Sequence, residues 1–176
     1  MTVQMIANSH PLIVKNLLWQ DEAATESLAQ ALARQPAIGQ ALIELKGDLG
    51  AGKTTLARHL LKSLGVQGRI KSPTYAVVEA YTLPAATQAS GDNSGHNAGL
   101  SIWHFDFYRF NDPQEWEDAG FRELFASPGL KLVEWPEKAA GHLPQPDLVI
   151  AIDMLANEAR AVTLTAYTLI GSALLA

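Results

Sequence analysis

Gly47-Asp48-Leu49-Gly50-Ala51-Gly52-Lys53-Thr54, with Thr55 behind it, is the stretch on which the reading of this chain turns. It fits the P-loop pattern G-x-x-x-x-G-K-[ST]. In that pattern glycines let backbone N–H groups close around phosphates, a lysine reaches the β and γ phosphates, and a hydroxyl ligates Mg²⁺. Both flanks agree with it. Ala41 to Leu45 reads as a buried strand, and Leu56, Ala57, Leu60, Leu61 and Leu64 recur at helical spacing before Gly65 stops the helix. Strand, glycine loop and helix N-terminus together make an anion site, because unsatisfied amides and the helix dipole both point at the phosphate. Nucleotide binding follows, but the use of the nucleotide does not.

Working outward, 176 residues suit a single domain, taken as residues 1–176. No apolar run approaches the roughly 20 residues of a membrane span. Met1 to Met5 lack the basic start and apolar core of a signal peptide. With no cysteine in the chain there are no disulfides, no thiol catalysis and no cysteine zinc site. A cytoplasmic protein without a membrane partner is expected. The net charge of −5 argues against a chain that holds nucleic acid by itself, since backbone binding needs a basic face.

Ahead of the P-loop, Asp21 can cap a helix with Ala24, Leu28, Ala31 and Leu32 on one face, broken by Pro36 and Gly39. Glu22, in its first turn, either lies near the nucleotide base or stabilises the helix dipole. After the P-loop helix, Ser72-Pro73-Thr74-Tyr75 leads into a strand at Ala76 to Tyr81. Such a loop either senses a γ-phosphate through its hydroxyls or is an ordinary turn. Pro84 to Gly99 has no large apolar residue and reads as a mobile surface insertion. Ile102 to Arg109 then alternates, with Trp103, Phe105 and Phe107 on one face and His104, Asp106 and Tyr108 on the other. Asp106 is there either as the acidic partner of a P-loop or on a solvated edge strand.

Further on, Asp112-Pro113-Gln114-Glu115 is a helix start, and Phe121 to Phe125 a second short helix. Leu130 to Trp135 is a strand halted by Pro136. Glu134 sits at its C-terminal end, where ligands bind in open parallel sheets, or is simply a surface glutamate. Leu148 to Asp153 and Arg160 to Thr165 are too close for a parallel crossover and should form an antiparallel hairpin. Tyr167 to Ala176 reads as a terminal helix with Leu169, Ala173 and Leu174 inward. The fold class expected is α/β, a P-loop NTPase-like three-layer sandwich: a mostly parallel central sheet with an antiparallel C-terminal hairpin.

The P-loop, Ser72-Pro73-Thr74-Tyr75, His104-Phe105-Asp106-Phe107-Tyr108-Arg109 and Val133-Glu134-Trp135-Pro136, in this order, resemble the bacterial TsaE family, also called YjeE. The similarity runs from about Asp21 to Arg160. It implies a small P-loop ATPase working with TsaD and TsaB to form N6-threonylcarbamoyladenosine at position 37 of tRNAs that read codons beginning with A. The tRNA would be met only through that complex. By position, the resemblance implies ATP or ADP held by Asp48, Leu49, Gly50, Ala51, Gly52, Lys53, Thr54 and Thr55, with Lys53 on the β and γ phosphates. It makes Thr54 and Glu134 ligands of Mg²⁺, and Asp106 the acid that orients or deprotonates the hydrolytic water. Ser72, Pro73, Thr74 and Tyr75 would be the switch, Trp135 a tryptophan beside the nucleotide, and Glu22 a nucleotide contact. The Pro84 to Gly99 insertion is the departure from the family pattern.

Three other uses of the loop stay open. A small-molecule kinase needs an acceptor pocket and usually a basic lid, for which the scattered arginines offer little. A GTPase would carry Asn-Lys-x-Asp, which is absent. A nucleotide-gated assembly module would need binding but not hydrolysis. Arg109 is a candidate arginine finger or one half of a salt bridge, and slow hydrolysis by the isolated chain is expected.

Overall fold

In the computed structural model, residues 10–84 and 99–176 are described. All but the two end residues of the Pro84 to Gly99 insertion lie outside them. The elements run β1 (Ile13–Trp19), α1 (Glu22–Ala33), β2 (Leu42–Lys46), α2 (Lys53–Leu64), β3 (Val78–Leu83), β4 (Leu100–Asp106), α3 (Gln114–Asp118), α4 (Phe121–Ala126), β5 (Leu130–Glu134), β6 (Leu148–Met154), β7 (Arg160–Ala166) and α5 (Leu169–Leu174). Short 3-10 turns stand at Pro36–Gln40 and Pro136–Ala139.

The strands form one sheet in the order β1-β7-β6-β2-β5-β4-β3. Its centre, β6-β2-β5-β4, is parallel. The β6–β7 hairpin is antiparallel, as its short link requires. Two further antiparallel strands close the edges: β1 on β7 and β3 on β4. β1 has no counterpart in the sequence reading. It is an edge strand whose middle residues are exposed, so it carries no alternation for a sequence to reveal.

Each face of the sheet has its own core. On one, α1, α2 and α5 pack Ala29, Leu32, Leu56, Leu60, Leu61 and Leu174 against Ile43, Leu45, Leu132 and Ile150. On the other, α3 and α4 bring Trp116, Phe121 and Phe125 onto Phe105 and Phe107, with ring centroids 4.7 Å apart for Phe105 and Phe125. The alternation expected of β4 therefore holds, since Phe105 and Phe107 face the aromatic cluster while His104 and Asp106 face α2. With β3 outside it, β4 is not an edge, and both of its faces are covered.

Three sequence expectations shift. In α1, Thr25 and Ala29 are buried with Leu32 while Ala31 is exposed, so the inward face is rotated toward the small residues that let α1 approach α2. In α5, Leu169 is 82% exposed and Ala173 also faces out, whereas Gly171 and Leu174 turn inward. A side chain at Gly171 would place its Cβ 1.9 Å from the Asp147 carbonyl, so the helix docks on its glycine. β3 starts at Val78 rather than Ala76. Val77 sits in the left-handed region at φ 68°, with its N–H donating to Pro73 O at 2.6 Å, and it closes a turn before the strand begins.

Candidate functional site

The P-loop links β2 to α2 in the centre of the sheet. Gly47, Gly50 and Gly52 all have positive φ, which side chains other than glycine rarely adopt. A Cβ at Gly47 would also lie 2.3 Å from Ile152 O, so the loop can leave β2 beside β6 only at a glycine. Arg160 braces the loop from β7, its Nε donating to Ala51 O at 2.9 Å.

Lys53 opens α2 and is buried. Its Nζ donates to Gly47 O at 2.5 Å and Asp48 O at 2.9 Å, and stands 4.1 Å from the centre of the Trp135 ring. Burial pushes the ammonium's pKa down, while Glu134, Glu137, Asp106 and Asp48 pull it back up. Trp135 reaches this position because its backbone turns over at φ 56°, directly after Glu134 and before Pro136. Such a conformation costs a bulky residue roughly 1–3 kcal/mol and is held only where the surroundings enforce it.

Two carboxylates arrive on neighbouring strands, Asp106 of β4 in register with Glu134 of β5. Both are buried, at 3% and 2% exposure. Glu134 accepts from the Thr54 hydroxyl at 2.8 Å on one oxygen and meets His104 Nε2 at 2.8 Å on the other. Asp106 accepts from the Thr74 hydroxyl at 2.6 Å and from the Tyr108 amide at 2.9 Å. Ser72 Oγ lies 2.8 Å from Thr74 Oγ1, so the Ser-Pro-Thr segment is tied to Asp106 through a chain of hydroxyls. Ser72, Thr74, Asp106 and Glu134 line one cleft of about 310 Å³, with Leu49, Gly50, Gly52, Lys53, Thr54, Thr55, Tyr108 and Trp135.

Most of the residues singled out from sequence thus meet in one place. Glu22 does not join them. It lies outside the cleft lining, its exposed carboxylate 2.7 Å from His59 Nε2 on α2. Asp48, Ala51, Pro73 and Tyr75 also stand back from the lining, and Tyr75 is 84% exposed. Arg109 forms neither a finger into the cleft nor a salt bridge among the described residues. Its guanidinium lies 4.0 Å from the centre of the Tyr75 ring. His104 and Arg160 also contribute, although their positions in the sequence point to no role. His104 was visible as a polar residue on the inward face of an aromatic strand, whereas nothing in the sequence marked Arg160.

The donor set suits a magnesium nucleotide. Thr54 and Glu134 offer hard oxygens, and among the described residues no three His, Asp or Glu gather into a metal cage. Mg²⁺ is usually held by one or two such protein oxygens together with phosphate and water. A larger hollow, about 640 Å³, opens on the opposite face between β2 and the 136–146 segment. It contains no P-loop residue. Its buried Glu44, whose carboxyl is pushed up by burial, is already paired with Lys46 at 3.3 Å. Size favours that hollow, but the chemistry favours the cleft. No helix among the described residues is long and apolar enough to cross a membrane.

Comparison with known proteins agrees with this geometry. Residues 19–162 match the family model described as threonylcarbamoyl adenosine biosynthesis protein TsaE. The chain is 43% identical over 130 residues to the tRNA threonylcarbamoyladenosine biosynthesis protein TsaE of Haemophilus influenzae, covering 74% of this chain and 73% of that one. It is 33% identical over 155 residues to the protein of the same name from Bacillus subtilis, covering 87% of each. The crystal structure of Bacillus subtilis YdiB superposes with a TM-score of 0.68 at 27% identity, over 93% of both chains. With a sheet that places a P-loop beside two strand-end carboxylates, and a match through nearly its whole length, this chain belongs to the TsaE family.

Proposed function

We propose that this chain is a magnesium-dependent ATPase that acts with TsaD and TsaB, in the cytoplasm, in forming N6-threonylcarbamoyladenosine at position 37 of tRNAs reading codons that begin with A. The observation that carries the ATPase reading is the convergence of Lys53, Thr54, Glu134, Asp106 and Thr74 in one cleft. Membership of the family supports the pathway and makes these partners the natural ones to test.

In this reading the P-loop amides and Lys53 bind the phosphates. Lys53 needs only to leave the Gly47 and Asp48 carbonyls to do so. Thr54 and Glu134 would hold Mg²⁺, which when bound would neutralise phosphate charge. Asp106 orients the attacking water or takes its proton, and the Thr74 hydroxyl places its carboxylate. Phosphoryl transfer depends on positioning and charge neutralisation, which such a set supplies without a covalent intermediate. No described arginine enters the cleft, so slow turnover alone and faster turnover with partners is the expected behaviour.

The test is phosphate release from ATP by the chain alone and with TsaD and TsaB. Release that rises only with both partners agrees with an accessory ATPase. Release indifferent to them contradicts it. A second reading, a nucleotide-gated assembly module, is favoured by the tie between Asp106 and the Ser72–Thr74 hydroxyls, which could report bound phosphate without hydrolysis. Under that reading Asp106→Ala would still support tRNA modification in the reconstituted system.

A further inference from the structure

His104 is fully buried in the middle of β4, on the face that packs toward α2, with Ile102 and Leu132 around it in the core. An apolar residue would serve packing better at that position. Among the described residues its one polar contact is Nε2 to Glu134 Oε1, at 2.8 Å, and Nδ1 has no hydrogen-bond partner there. An ionised carboxylate only accepts, so Nε2 is the donor. The strand register explains the contact. Asp106 pairs with Glu134 across β4 and β5, and His104, two residues earlier on the same face, reaches Glu134 along the diagonal.

We propose that His104 is a positioning residue for the metal side of the cleft. Its Nε2–H fixes Glu134 Oε1, so that Oε2 is kept for Thr54 and the metal ion. Both oxygens of a buried carboxylate are then partnered, and the side chain is locked in one rotamer. This rests on the reading of Glu134 as a metal-side carboxylate. Carboxylates that bind metals are themselves hydrogen-bonded, and loss of such an outer partner typically lowers metal affinity roughly 10–100-fold.

The experiment is Mn²⁺ binding to the protein–ADP complex, followed by the electron paramagnetic resonance of free Mn²⁺, with metal-free ADP affinity measured beside it. His104→Leu should weaken Mn²⁺ binding about tenfold or more while leaving metal-free ADP affinity within about twofold. His104→Gln, whose amide nitrogen stands near the place of Nε2, should restore most of the loss. In a Glu134→Gln background, His104→Leu should add nothing. Equal losses in His104→Leu and His104→Gln, or a further loss in the Glu134→Gln background, overturn the inference. Should His104→Leu fail to fold, His104→Asn, whose amide is too short to reach Glu134 Oε1, takes its place: a loss of about tenfold or more that His104→Gln does not share supports the inference, and equal Mn²⁺ affinity in the two overturns it. If Glu134→Gln itself leaves Mn²⁺ affinity unchanged, the reading of Glu134 fails first. If only the His104 variants are silent, the inference alone fails.

Discussion

The two carboxylates of the cleft stand side by side on neighbouring strands, yet they are held by different kinds of structure. Glu134 is held from regular elements alone: Thr54 in the first turn of α2 and His104 in the interior of β4. Asp106 is held from loops: the hydroxyl of Thr74, itself joined to Ser72, and the amide of Tyr108 just past the end of β4. The nearby loop side chain of Tyr75 is 84% exposed and lies against the Arg109 guanidinium. The Glu134 side is therefore fixed when the sheet folds. The Asp106 side depends on a segment that can take up or release its contacts at little cost to the core. This difference suggests a division of work, with phosphate and metal held by the rigid side and turnover set by the loop side.

The most damaging way to break that division is to remove the charge on the rigid side. Lys53→Ala should reduce ATP binding and turnover by on the order of 100-fold or more, since it deletes a preorganised cation aimed at the phosphates. Calorimetric titration with ATP checks this, and unchanged turnover would take the P-loop out of the mechanism. A smaller effect is expected on the loop side. Thr74→Val removes a hydroxyl bonded to an ionised carboxylate, and should slow phosphate release about tenfold while ATP affinity stays within about twofold. Equal loss of affinity and turnover would show that the two sides do not divide the work. The smallest effect is assigned to Tyr75→Ala. An exposed cation–π contact contributes only about 0.5–1 kcal/mol, so thermal stability and ATP affinity in the isolated chain should barely move. A large loss of affinity there would mean that the loop closes over the nucleotide.

Much of the rigid side was legible in the sequence. The glycines of the P-loop announce positive φ, Lys53 and Thr54 fall at fixed spacing after them, and Gly65 ends α2 at the expected residue. The alternation of β4 placed Asp106 and His104 on the same face, but neither the spacing nor the alternation could reveal that His104 meets Glu134. That contact arises because β4 and β5 become neighbours, with α3 and α4 lying between them in sequence. β1 was hidden because an exposed edge strand has no burial pattern. The inward face of α5 escapes a count of apolar residues because the helix docks through Gly171, where the absence of a side chain is what matters. Glu22 reads from sequence either as a nucleotide contact or as support for the helix dipole; in the fold its carboxylate meets His59, a contact between α1 and α2 that no local pattern encodes.

The central claim is that the cleft hydrolyses ATP with Asp106 while the rigid side does the holding. Single-turnover phosphate release from magnesium ATP, with wild-type protein and Asp106→Ala each in excess over nucleotide and above its measured Kd, tests it most directly. The account predicts that Asp106→Ala binds ATP within about threefold of wild type but releases phosphate at least about 100-fold more slowly, as expected for loss of a general base. Phosphate release at the wild-type rate from fully bound ATP would contradict it.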